Sequence, residues 1–136
     1  MPKRKPSAEA TKRAKKSRRK GQTYERENAT RLKPVWPTAK RGIGQARSAK
    51  EVADVEGTSY WIETKHHKRT NIRAAYAQGV EATDGRPVVV ISRDTNKSPD
   101  LVTMSFDDWL AMAGELARLQ KLADKALAKI EQSEIA

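Results

Sequence analysis

Residues 86–93 read Arg-Pro-Val-Val-Val-Ile-Ser-Arg, and the four consecutive β-branched residues Val88 to Ile91 restrict the fold more than any other stretch. Branched side chains suit an extended backbone, and an unbroken apolar run has no face to turn to water, so such a strand has to be covered on both sides. It belongs in the middle of a sheet. The neighbouring segments can supply the cover. Residues 71–84 set Ile72, Ala75, Tyr76, Gly79 and Val80 on one helical face. Residues 22–33 read as a helix that stops before Pro34, because proline disfavours a helical residue ahead of it. A short strand is expected at 101–104 after the turn around Asn96 to Asp100. The order helix, short strand, hairpin, helix, strand, strand, helix predicts an α/β fold with a mixed central β-sheet flanked by helices.

The hairpin in that series carries the chemistry. Residues 53–65, Ala-Asp-Val-Glu-Gly-Thr-Ser-Tyr-Trp-Ile-Glu-Thr-Lys, have a turn-like interruption from Glu56 to Ser59. With Thr58 and Ser59 as a two-residue turn, Asp54 falls directly opposite Glu63, and opposed residues share a face with Cβ atoms about 5 Å apart. Alternation along the strand also puts Lys65 on the face of Glu63. Two carboxylates held together repel, and a cation between them removes the conflict. Oxygen donors in a chain with no cysteine favour Mg²⁺ or Mn²⁺ over zinc. A lysine beside such a site adds positive charge where an anionic phosphate and an activated water meet, which suits phosphodiester hydrolysis.

The formal charge of +11 is concentrated at one end. Residues 1–20 contain ten lysines and arginines, Arg18, Arg19 and Lys20 among them, against the single acid Glu9. The remainder is close to neutral. A run of this kind is expected to be a disordered tail that binds polyanions by releasing their counterions, without sequence preference. The absence of cysteine excludes a disulfide framework, and no apolar run approaches the length of a membrane span, so a cytoplasmic protein is expected.

Three further stretches bear on binding. Residues 35–50 form a glycine-containing loop with Lys40, Arg41, Gln45, Arg47 and Ser48, placed between the first helix and the acidic hairpin, where contact with a nucleic-acid backbone is expected. His66, His67, Lys68 and Arg69 make a basic turn; adjacent histidines on an extended segment point apart, which favours phosphate contact over metal ligation. Residues 105–134 form the longest helix, opening on Ser105 and Asp108 in a capping-box-like arrangement. There Trp109, Met112, Leu116, Leu119, Ala123, Ala126 and Ile130 recur at alternating spacings of three and four, a stripe expected to cover the core with its first turns and to meet a second copy with its later ones. The expected organisation is a tail at 1–20, a catalytic core at 21–104 and this helix at 105–136.

The ordered set of Gly21-Gln22-Thr23-Tyr24-Glu25-Arg26, Asp54, Glu63-Thr64-Lys65 and the helix bearing Gln78 resembles the PD-(D/E)xK nuclease superfamily, and within it the archaeal-type Holliday junction resolvases and their phage-encoded relatives. The likeness covers residues 21–93. Ala53 stands where the motif's name has proline, and Ser48 is the serine offered for the loop position that those resolvases fill before the acid. The resemblance implies a restriction-endonuclease-like fold and a Mg²⁺ site, with Mn²⁺ able to substitute, in which Glu25 joins Asp54 and Glu63. It implies further that Thr64 offers its backbone carbonyl, that Lys65 supports the attacking water, that Gln78 meets DNA, and that a homodimer matches the twofold symmetry of a four-way junction.

The expectation is therefore a metal-dependent endonuclease for branched DNA, active in the cytoplasm, or in the host cytoplasm if phage-encoded. A nuclease of the same fold for other branched or duplex DNA, and a nucleic-acid-binding protein without catalysis, are the alternatives. The role given to residues 1–20 predicts that their deletion flattens the salt dependence of DNA binding, since each phosphate neutralised contributes about 0.9 to the slope of log affinity against log salt. Titrations at several salt concentrations measure it; an unchanged slope contradicts the role.

Overall fold

The computed structural model describes residues 1–43 and 51–135, so Gln45, Arg47 and Ser48 lie outside the described residues. The chain divides into two compact units, residues 1–103 and 104–136. The first contains α1 (Ala8–Leu32), β1 (Lys40–Arg41), β2 (Val55–Glu56), β3 (Trp61–His67), α2 (Ile72–Ala82), β4 (Val88–Asp94) and β5 (Leu101–Thr103). The strands form one mixed sheet in the order β1-β2-β3-β4-β5. Only β3 and β4 run parallel, joined by α2, and the other neighbours are antiparallel. The α/β class with a mixed sheet is what the sequence predicts, and the β-branched strand has a neighbour on either side, with Val88 to Ser92 buried.

The two helices cover opposite faces because β3 alternates. Trp61 packs with Ala75 of α2, Val88 and Val90 in one cluster. The Tyr24 ring of α1 lies 5.4 Å from His66, which points to the other face. Asn71 caps α2, its side chain accepting from the Ala74 N–H at 3.0 Å. Gly79 lets α2 approach the sheet closely: a Cβ there would lie 2.5 Å from Val88 Cγ1 and 3.2 Å from Glu63 Cγ. At the hairpin, Val55 pairs with Ile62, the register that follows from symmetry about Thr58 and Ser59. The connection is wider than two residues. Gly57 at φ +81° starts it, and the Thr38 carbonyl sits where its Cβ would be.

α1 is longer than the sequence suggests. It begins at Ala8, so residues 8–20 of the expected disordered tail are helical and Gly21 lies inside the helix. Lysine, arginine and alanine are good helix formers, Ser7 accepts the Ala10 N–H at 3.2 Å, and Glu9 favours the first turn. Helix propensity and exposure are compatible here, since residues 8–19 are all exposed.

What fixes α1 to the sheet is an ion-pair network centred on Arg93, at the charged end of the buried strand. Its guanidinium donates to both carboxylate oxygens of Glu27 on α1 (2.9 and 2.8 Å) and to both of Asp100 (2.8 and 3.0 Å). Asp100 also accepts from the Tyr24 hydroxyl and from Arg31, each at 2.9 Å, and Arg93 stacks over the Tyr24 ring at 4.8 Å. The guanidinium hydrogen bond holds the Asp100 carboxyl down to about 2, while burial, with Asp100 alongside, pushes the Tyr24 phenol up to about 12.

The second unit is α3 (Phe106–Ile135), started by Ser105, whose hydroxyl accepts the Asp108 N–H at 3.0 Å. None of its residues is buried. The stripe expected to turn partly inward is exposed at Trp109, Met112, Leu116, Leu119 and Ile130. Among the described residues no helix is long and apolar enough to cross a membrane.

Substituting Arg93→Gln removes the centre of the network and leaves Glu27 and Asp100 facing one another, a loss of about 2 kcal/mol after allowance for partial exposure. Urea unfolding measures it. Asp100 also fixes the acid response: its carboxyl titrates lower in the folded chain than in the unfolded one, so its contribution is complete above about pH 4 and is lost as pH falls through about 2. Asp100→Asn is expected to be less stable than wild type at neutral pH and to approach it only as pH falls below about 2; a deficit independent of pH contradicts the assignment.

Candidate functional site

β2 is only two residues long, and its early departure from β3 creates the site. Beyond the Val55–Ile62 pair β3 has no partner on its β2 side among the described residues, and the Thr64 N–H donates instead to the Asp54 carboxylate at 2.8 Å. Asp54 is fixed further by its own N–H, which donates to the Ile62 carbonyl at 2.9 Å. Glu63, one step along from Ile62, is buried at 6 % exposure and accepts from the Trp61 indole N–H at 2.9 Å. Trp61 and Glu63 are two apart on a strand and share the face covered by α2, which is why the indole can orient the acid.

The two acids interact. Burial raises the Asp54 carboxyl and the charge of Glu63 raises it further, against the lowering effects of the Thr64 N–H and Lys65, so that it is pushed up to about 6. Lys65 continues the face of Glu63, and its ammonium donates to the Gln78 side-chain oxygen on α2 at 2.8 Å. Gln78 thus holds Lys65 beside the acids; sequence reasoning placed Gln78 against DNA and missed this contact.

Glu25 comes from α1, one turn after Gly21. It is half-buried, and burial raises its carboxyl, opposed by a hydrogen bond from Arg41, with Asp54 a further raising charge. Arg41 Nε donates to Glu25 Oε2 at 2.7 Å. The arginine expected to face DNA therefore neutralises a site acid. Glu25, Asp54, Glu63, Thr64, Lys65 and Gln78 line one cleft of about 420 Å³, together with Ser17, Lys20 and Gly21 from α1 and His66, His67 and Lys68 from the end of β3. A second recess of about 300 Å³ includes Lys65, His67, Arg69 and Gln78. Lys40 stands on the edge strand opposite Glu56, and Arg18 and Arg19 are exposed on α1.

Among the described residues no three acids or histidines converge closely enough to enclose a metal ion. The reason is visible in the hydrogen bonds: Glu25 is drawn to Arg41 and Glu63 to Trp61, while Asp54 and Glu63 stay close enough to interact. The donor chemistry still fits a hard divalent cation. All three acids offer oxygen and face one cleft, and a buried pair that raises Asp54 to about 6 is stabilised by a positive ion placed against it. Sequence reasoning also missed Trp61 as the partner that orients Glu63; the i, i+2 spacing was the available signal.

Compared with models of protein families, with curated protein sequences and with solved structures, the chain matches none.

The raised Asp54 carboxyl has a consequence for stability. The folded chain binds that proton more tightly than the unfolded chain, so metal-free protein loses stability as pH rises from about 4 through about 6. Asp54→Asn keeps an oxygen acceptor for the Thr64 N–H and removes both the buried charge and the repulsion from Glu63. In EDTA at neutral pH it is expected to be more stable than wild type by about 2 kcal/mol, with the advantage disappearing near pH 4. Urea unfolding at the two pH values measures it; a variant less stable than wild type at neutral pH contradicts the crowding of the two acids.

Proposed function

We propose that the chain is a metal-dependent, structure-selective DNA endonuclease of the PD-(D/E)xK type, with a restriction-endonuclease-like core, that hydrolyses phosphodiester bonds at four-way junctions. The observation that carries the reading is the pair Asp54 and Glu63, held against each other in a cleft that also receives Glu25 and Lys65. A structural role for acids in this arrangement is hard to justify, because their proximity destabilises the ionised chain.

In this reading Asp54, Glu63 and Glu25, with the Thr64 carbonyl, would hold Mg²⁺, and Mn²⁺ would substitute for it. The ion supplies Lewis-acid charge at the phosphate and lowers the pKa of water. The chain's own residues do the rest. Thr64 N–H and Trp61 N–H fix the two hairpin acids, and Gln78 positions the Lys65 ammonium where charge builds on the phosphate as water adds and the bond to the leaving oxygen breaks. Lys20, His67 and Lys68 on the cleft walls, and Arg69 in the adjoining recess, are cationic or hydrogen-bonding contacts for the flanking phosphates. For Glu25 to serve as a ligand it would have to leave Arg41, which would free the guanidinium for a phosphate. A homodimer, with the exposed stripe of α3 as its contact, would present two sites to the two scissile strands of a junction.

The test is incubation of the protein with an immobile four-way junction and with a linear duplex of the same arms, in Mg²⁺ and in EDTA. Paired, symmetric nicks in the junction alone, lost in EDTA, are expected. Glu63→Gln and Asp54→Asn are expected to slow cleavage by at least about 10²-fold, and Lys65→Ala by about 10²-fold. Cleavage of both substrates reduces the function to a general nuclease. Binding without cleavage under all conditions contradicts catalysis and leaves a nucleic-acid-binding protein.

A further inference from the structure

Among the described residues nothing in the fold requires Gly21 to be glycine. It sits in the interior of α1, between Lys20 and Gln22, where glycine is among the least favourable residues for a helix and alanine the most favourable. Its φ is not positive, so the helix makes no use of the conformational freedom that glycine provides. Three other glycines of the first unit are explained by contact. A Cβ would meet the Ala53 carbonyl oxygen at 1.9 Å from Gly42, the Thr38 oxygen at 2.1 Å from Gly57, and Val88 Cγ1 at 2.5 Å from Gly79. Among the described residues a Cβ on Gly21 would meet nothing within 4 Å.

The open space lies in the cleft. Ser17, Gly21 and Glu25 follow one another at one-turn intervals along α1 and line the cavity that holds Asp54, Glu63 and Lys65. At Gly21 the helix wall is bare backbone, one turn from a proposed metal ligand. Lys20 beside it, whose ammonium donates to the Thr95 hydroxyl at 3.1 Å, and Lys68, which lines the same cleft, supply positive charge to this stretch. A slot that combines missing side-chain bulk with positive charge fits an elongated anion lying against the helix.

We propose that Gly21 is the point at which the substrate strand's sugar–phosphate backbone lies directly against α1, so that the missing side chain sets how deeply the strand enters beside Glu25. Gly21 is thus a positioning residue. The proposal rests on the nuclease reading for the identity of the strand, and goes beyond it in naming the wall that the strand touches.

Gly114 provides an internal control. It is also an interior helix glycine with nothing within 4 Å of a would-be Cβ, and it lies on α3, off the apolar stripe. Gly21→Ala and Gly114→Ala should both melt at or above the wild-type temperature, because each replaces a poor helix former by the best one. Binding to the immobile four-way junction and to its linear arm is measured in EDTA, and cleavage in Mg²⁺. Gly21→Ala is expected to bind about tenfold more weakly and to cleave at least about tenfold more slowly, while Gly114→Ala matches wild type in both. Wild-type binding and cleavage by Gly21→Ala overturn the proposal, as does a lower melting temperature, which would give the glycine a role inside the fold. If wild type binds but does not cleave, the nuclease reading fails and the binding comparison still decides Gly21. If wild type binds no DNA, both readings fall.

Discussion

Arg93 joins the two halves of the site. The sheet carries Asp54, Glu63 and Lys65, whereas Glu25 arrives on α1, and that helix is fixed to the sheet by the guanidinium shared between Glu27 and Asp100. Tyr24, adjacent to Glu25, is held from two sides, its hydroxyl on Asp100 and its ring beneath Arg93. A fork of planar donors satisfied by two carboxylates restricts both translation and rotation of the helix, which one apolar contact would not do. Glu25 therefore faces the cleft because its neighbours are immobilised.

The opposite principle operates at Asp54 and Glu63. There like charges are brought together, and the fold accepts the repulsion because the hairpin register and the Thr64 N–H leave Asp54 no other place. The chain thus contains one acid cluster neutralised by its own arginine and another left short of positive charge. The Arg93 network stabilises the fold, whereas burial of Asp54 beside Glu63 disfavours their ionised form, and in the proposed reading a cation would relieve that cost. Glu25 lies between these regimes, paired with Arg41 yet facing the cleft.

Much of this was legible in the sequence where local rules govern. Four β-branched residues located an interior strand, and the turn symmetry about Thr58 and Ser59 located Val55 against Ile62, which brings Asp54 next to the strand that carries Glu63. The helix bearing Gln78 followed from its apolar spacing, although Gln78 proved to hold Lys65. What was illegible depended on distance or on competing local tendencies. Arg93 and Glu27 are 66 residues apart, and only the placement of a charge at the end of a buried strand hinted that it needed a partner. Residues 8–20 have the charge of a disordered tail and the propensity of a helix, and composition alone does not decide between them. The wider turn at Gly57 followed from the Thr38 carbonyl, a contact made by a distant segment.

The central claim is that the Asp54–Glu63 pair awaits a divalent cation. Since Asp54 is protonated up to about 6, an ion that binds its carboxylate must displace a proton in that range. Calorimetric titration with Mn²⁺ near pH 6, repeated in buffers of different ionisation enthalpy, counts that proton directly. The account predicts release of about half a proton per ion bound near pH 6, falling to none near pH 8, with both binding and release lost in Asp54→Asn. Mn²⁺ binding that is absent, or that survives unchanged in Asp54→Asn, contradicts it.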